Sequence, residues 1–171
     1  MAYRTHTCGE LRSSDENKEV CLAGWVKKWR NHGGLLFIDL RDQYGVTQIV
    51  FNPEQGEDLY TQSMTLRAEY VISVEGIVKL RPEGMINNEM DTGEIEVLAK
   101  KITILNVAKT PPFEIMDEIE VNEELKLQYR YLDLRRTTNR DNILLRSRLY
   151  KITRDHLVEN NFTEIETPFL M

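Results

Sequence analysis

Cysteine is scarce in this sequence: Cys8 and Cys21 are the only two, too few for a disulfide framework and too far apart for a C-x-x-C pair. Both are expected as reduced thiols. Histidine is almost as rare, with three in the chain. His6-Thr7-Cys8 offers two metal ligands at most, and the remaining cysteine and histidines fall in unrelated elements, so no metal site is expected. No run of about 18 apolar residues occurs, and residues 1–12 are polar and charged where a signal peptide needs an apolar stretch. These absences predict a soluble, cytoplasmic chain with no membrane partner. Basic charge does not dominate either. The balance of 22 Lys and Arg against 28 Asp and Glu, a net charge of −6, argues against a protein that wraps duplex DNA. Neither a GxxxxGK[ST] loop nor a GxSxG turn occurs, so a P-loop and a hydrolase elbow are unsupported.

What is present is a globular composition. With 41% hydrophobic residues over 171 positions, there is room for one domain and part of a second. From residue 20 to 105, short apolar runs alternate with turn residues in the manner of β-structure. Residues 20–30 read as a first strand, Asn31-His32-Gly33-Gly34 as a turn, 35–41 as a second strand and 47–51 as a third, after a turn at Tyr44-Gly45. Residues 54–66 lack β-branched density and read as a helix. Strands return at 70–81 and at 94–105, the last opened by Thr92-Gly93. Five strands with a helix between the third and fourth is the order of an OB-fold, a small Greek-key barrel that commonly binds oligonucleotides. The chain therefore reads as mainly β with a helical C-terminal part, divided into an OB-fold at 1–108, a hinge at 109–137 and a truncated further domain at 138–171. The hinge is signalled by Thr110-Pro111-Pro112 and the acidic stretch 114–124. In 138–160, Leu145, Leu149, Ile152 and His156 form a helical stripe that wants a partner surface, which the few residues after it are too short to provide, and His156 reads as part of that packing face and not as a catalytic group. Residues 162–171 read as an apolar strand that needs cover, and are expected disordered or buried against another copy.

Alternate strand residues point to opposite faces. In the second strand Leu36, Ile38 and Leu40 share the core face, which leaves Phe37 outside beside Asp39. An outward aromatic is a platform for a splayed base. In the fourth strand Tyr70, Ile72, Val74, Val78 and Leu80 take one face, placing Lys79 and Arg81 on the other; in the fifth, Glu96 alternates with Ile95 and Val97. Gln48 is expected at a rim. Lys27, Lys28 and Arg30 make one edge positive, and His32 lies near it. An arginine, an amide and a carboxylate around an aromatic supply what is needed to read base edges on single-stranded RNA. A non-enzymatic single-strand-binding OB protein fits the same face; it would bind any unpaired strand with steep salt dependence.

The segments RTHTCGELR (4–12), GWV (24–26), RNHGGLLFIDLRD (30–42), TGEIEV (92–97), YRYLDLRR (129–136) and FTEIETP (162–168) together resemble bacterial-type aspartyl-tRNA synthetases, over nearly the whole chain. The OB domain is shared with asparaginyl and lysyl enzymes. YRYLDLRR with TGEIEV and the CGxLR start points to the aspartyl branch. The resemblance implies that the barrel binds the anticodon of tRNA(Asp). Phe37 would stack on the middle uracil, Gln48 would hydrogen-bond that base, and Arg30 would contact the middle or third base. Arg81 and Glu96 would help read the outer bases, and Lys79 would hold phosphate or base. Val50 stands where some members have an aromatic, and Met85 where others place asparagine. With His32 and Gly84 nearby, Met85 leaves two alternatives, an enzyme strict for tRNA(Asp) and a relaxed one that also charges tRNA(Asn). Phe162, Ile165 and Pro168 match motif 1 of class II synthetases, a homodimer interface in the family. Motifs 2 and 3 lie beyond Met171, so ATP and Mg2+ are implied for the intact ligase, with no catalytic residue in this fragment.

Overall fold

The computed structural model describes residues 3–169. They fall into two compact units, Met1–Pro111 and Pro112–Met171. In the first, β1 (Glu19–His32), β2 (Leu35–Arg41), β3 (Val46–Phe51), β4 (Val71–Leu80) and β5 (Ile95–Asn106) pair in the ring order β1-β2-β3-β5-β4, which closes into a barrel because β4 also pairs with β1. All pairings are antiparallel except β3 with β5. This ring of pairings encloses one core. Val20, Leu22, Val26, Leu36, Ile38, Leu40, Ile49, Phe51, Ile72, Val74, Val78, Ile95 and Val97 are its buried strand residues. The entering segment adds Cys8 and Leu11 to that core. Asp42 fixes this segment, accepting from the Cys8 backbone N–H at 3.0 Å and from Arg4 at 2.7 Å. Burial, with the Asp42 charge adding to it, pushes the Cys8 thiol up to about 12, so Cys8 behaves as a small neutral core residue.

Three register irregularities shape the barrel, one of them between Val71 and Ile72 at the start of β4. Pairing skips Lys27, so that Val26 opposes Leu40 and Lys28 opposes Asp39. The extra residue reverses which alternate positions of β1 face inward. A second irregularity between Glu75 and Gly76 leaves both Lys100 and Lys101 on the outside. The β1-β2 hairpin turns through Gly33 at φ 61° and Gly34 at φ 83°, the consecutive left-handed pair that a two-residue turn requires.

Several elements differ from the sequence expectation. The stretch 54–66 is not one helix: Asn52 caps a 3-10 turn at Pro53–Gln55, and Gly56 at φ 140° interrupts the chain before α1 (Glu57–Met64). Leu80 is 45% exposed instead of buried, because β4 ends there and Arg81 takes the covered position. Tyr70 is only half-buried.

In the second unit, the stretch expected as a hinge holds α2 (Glu123–Gln128), capped by Asn122, and α3 (Arg130–Asp133). Buried Asp133 accepts from Arg130 at 2.6 Å, Asn139 at 2.9 Å and Arg136 at 3.2 Å, which orders the YRYLDLRR segment. α4 (Thr137–Glu159) follows. Its stripe is not packed: Leu145, Leu149, Ile152 and His156 are all exposed. Residues 162–169 contain no strand, since a strand needs a partner for its ladder; Leu170 and Met171 of that expected strand lie outside the described residues. Phe162 and Ile165 are exposed, as is Pro168. No helix among the described residues is long and apolar enough to cross a membrane.

Candidate nucleic-acid interface

The outer face of β1, β2, β3 and β5 gathers most of the candidate residues. After the Lys27 bulge, Lys28, Arg30 and His32 of β1 stand opposite Asp39, Phe37 and Leu35 of β2. Phe37 in turn lies opposite Val50, and Asp39 opposite Gln48, on β3. Phe37 is half-buried among these neighbours. The small Val50, itself covered, gives it an apolar floor.

Around the ring runs a chain of polar contacts. The Arg30 Nη2 donates to Asp39 Oδ1 at 2.9 Å and to Gln48 Oε1 at 3.3 Å, and the Gln48 Nε2 donates to Glu96 Oε2 at 3.0 Å. Gln48 is only 8% exposed, more enclosed than a rim position. Both ends of its amide are engaged, which fixes their orientation. Arg81 enters from the end of β4. It is buried, its Nε donates to the Ile95 carbonyl at 2.9 Å, and its charge acts on Glu96. Burial lowers the Arg81 guanidinium from its ordinary value, opposed by Glu96 and Asp39. Burial likewise raises the Glu96 carboxyl, opposed by the Gln48 bond and the Arg81 charge. The start of β5 is held by Thr92, whose hydroxyl donates to the Val46 carbonyl at 2.6 Å. Beside it, Gly93 packs so tightly that a Cβ there would lie 1.7 Å from the Asn87 carbonyl oxygen. The TGEIEV segment thus sets where Glu96 emerges.

Arg30, Phe37, Gln48, Arg81 and Glu96 are therefore brought together. The remaining candidates lie at the margins. Lys79 opposes Glu96 in the β4-β5 ladder, but its Nζ donates to Asn17 Oδ1 at 2.7 Å. His32 is exposed at the hairpin end, and Met85 is 66% exposed in the loop after Gly84. Two residues of the cluster's surroundings escaped the sequence reading. Asp39 stood out only as the neighbour of Phe37, and Asn17 carried no signal in the sequence. Among the described residues no group of three or more His, Cys, Asp or Glu is placed to hold a metal.

The raised Glu96 carboxyl gives a testable sign. A carboxyl lifted above its unfolded value favours folding when protonated; that contribution is complete below the unfolded value and is lost as pH rises through the folded one. Glu96→Gln, which keeps an acceptor for Gln48, is therefore expected to gain thermal stability over wild type at about pH 8 and to gain less near pH 4, around the ordinary glutamate value. A gain of equal size at both pH values would refute the burial argument.

Comparison with known proteins agrees with this geometry. Residues 20–105 match the family of OB-fold nucleic acid binding domains, and residues 122–171 match class II tRNA synthetases (D, K and N). The chain is 53% identical over 167 residues to an aspartate–tRNA(Asp/Asn) ligase of Desulfatibacillum aliphaticivorans and 54% identical over 168 residues to one of Rubrobacter xylanophilus. In each case 98% of the chain aligns, and it spans 28% of the relative's length. Among solved structures, it superposes on asparaginyl-tRNA synthetase from Pyrococcus horikoshii with a TM-score of 0.83 and 27% identity, covering 98% of this chain and 37% of that one. An aspartyl-tRNA synthetase from Entamoeba histolytica shares the fold, with a TM-score of 0.84 at 22% identity over 94% of this chain and 38% of that one. The chain belongs to the OB-fold nucleic acid binding family, and its residues 122–171 match the class II (D, K and N) tRNA synthetases.

Proposed function

We propose that this chain reads the anticodon of tRNA(Asp) as the RNA-recognition part of an aspartate–tRNA ligase. The observation that carries the reading is the single outer face on which an apolar-floored aromatic, Phe37, stands beside the linked Arg30, Gln48 and Glu96 and the charge of Arg81. Phe37 stacks on the middle uracil and Gln48 hydrogen-bonds it. Arg30 meets the middle or third base, Arg81 and Glu96 read the outer bases, and Lys79, steadied by Asn17, holds phosphate or base at the margin. His32 and Met85, both exposed, flank the position where tRNA(Asn) differs from tRNA(Asp), and the enzyme accepts both; the names of the relatives support this breadth. In the intact protein, ATP and Mg2+ serve the ligation of aspartate in the portion that this chain does not span, so the chain itself binds RNA without catalysing. Phe162, Ile165 and Pro168 contribute to a homodimer interface there. A cytoplasmic location fits these roles.

Fluorescence anisotropy with anticodon stem-loops carrying GUC, GUU and an unrelated triplet tests the reading. Charge-assisted hydrogen bonds to bases contribute about 1.5–3 kcal/mol, so GUC and GUU are expected to bind alike and the unrelated triplet about 10- to 100-fold more weakly. A preference for GUC over GUU would restrict the enzyme to tRNA(Asp). Equal binding of all three would leave a general single-strand binder.

A further inference from the structure

We infer that Asp39 is a specificity-determining residue of the reading face: by pinning Arg30 it keeps that arginine aimed at a base and away from phosphate. The inference rests on the anticodon reading and adds to it a residue whose role is to restrain another. Asp39 sits in the middle of the cluster, opposite Lys28 on one side and Gln48 on the other. Its side chain is 15% exposed against 48% for Arg30, so the carboxylate lies beneath the guanidinium. Its contact with Arg30 is the shortest in the chain of polar contacts that continues through Gln48 to Glu96. It also acts electrostatically on Arg81.

An exposed arginine on a long stem ordinarily meets the nearest phosphate, a contact that carries no sequence information. Arg30 is restrained in two ways. The carboxylate neutralises its charge, which weakens its pull on any backbone, and the shared bonds to Asp39 and Gln48 fix the fork before RNA arrives, so that its remaining N–H groups meet a base edge in one orientation. On a chain of net charge −6, general attraction for RNA is confined to local basic residues such as Lys28 and Lys79. The charges of this face then decide between base and backbone. A half-buried carboxylate at its centre discourages the wrong contact as well as favouring the right one.

The test uses the whole 171-residue chain with stem-loops carrying GUC and an unrelated triplet, titrated over a salt series. In Asp39→Asn, Arg30 is freed to take a phosphate. The unrelated stem-loop is expected to bind more tightly, the preference for GUC to fall about tenfold, roughly one bidentate contact's worth of discrimination, and the slope of log affinity against log salt for the unrelated stem-loop to steepen by about 0.7, one released counterion on a single strand. In an Arg30→Gln background the same Asp39→Asn change should move neither quantity. Arg30→Gln alone, which leaves Asp39 in place, should weaken GUC binding and leave the slope for the unrelated stem-loop unchanged. A wild-type preference that Asp39→Asn leaves intact, with an unchanged slope, overturns the inference alone; so does an equal effect of Asp39→Asn with and without Arg30, or a shallower unrelated-triplet slope in Arg30→Gln. Equal binding of both stem-loops by wild type overturns the anticodon reading, and the inference with it.

Discussion

Phe37→Ala is expected to weaken binding of the GUC stem-loop by about 5- to 150-fold, the equivalent of the 1–3 kcal/mol that a base gains by stacking on an aromatic ring. The loss should fall on affinity rather than on folding. Phe37 lies on the outer side of β2, whereas Leu36, Ile38 and Leu40 on the inner side fill the core. No charge is removed, so the salt dependence of binding should stay as in wild type. Phe37→Tyr keeps a flat ring on the Val50 floor and should retain most of the affinity. Anisotropy at one fixed salt concentration, with the thermal midpoint measured beside it, decides the matter. A loss of less than about twofold, below what even weak stacking supplies, would remove Phe37 from the interface.

Phe37 was legible because β2 obeys strict alternation: its inner residues are apolar, and an aromatic out of phase has to face elsewhere. Glu96 was legible for the same reason, between buried Ile95 and Val97. Arg30 was not legible by that rule. Val20, Leu22 and Val26 are buried, and unbroken alternation would carry Lys28 and Arg30 inward with them. Only the unpaired Lys27 turns them out, and nothing in its identity announces a bulge; charge clustering and the resemblance pointed to Arg30 instead. Leu80 failed in the opposite sense. Alternation assigns it to the core, but β4 ends at Leu80, and it is the next residue, Arg81, that is buried. The stripe on α4 was legible as an apolar face that wants a partner, and it stands exposed, because periodicity shows that a face wants cover and not that cover is supplied. Asp39 illustrates a further limit. Its importance lies in a contact between strands whose register depends on that same bulge, which no single-strand pattern contains.

The reading face depends on the core directly behind it, and Phe51→Ala is the change that should show this most strongly. Phe51 is fully buried, opposes Leu36 across the β2-β3 ladder and belongs to the strand that carries Gln48 and Val50 on its other side. Replacing a buried phenylalanine by alanine removes its transfer free energy and leaves a cavity, a combined cost of about 3–5 kcal/mol. Against a total of about 5–15 kcal/mol for a domain, that is a large fraction. Both tryptophans, Trp25 and Trp29, lie on β1, so tryptophan fluorescence follows the barrel without reporting on α4. With a denaturant slope of about 1–3 kcal/mol/M in urea, the midpoint is expected to fall by about 2 M. A fall of less than about half a molar would mean that the barrel repacks around the missing ring, as cores can when a site collapses. If the expected fall is seen, binding at low urea should still approach that of wild type, because Phe37, Gln48 and Arg30 are untouched, and should then be lost together with the fluorescence transition. Loss of binding before that transition would instead show that Phe51 holds Gln48 and Val50 in register, tying recognition to packing on the far side of a single strand.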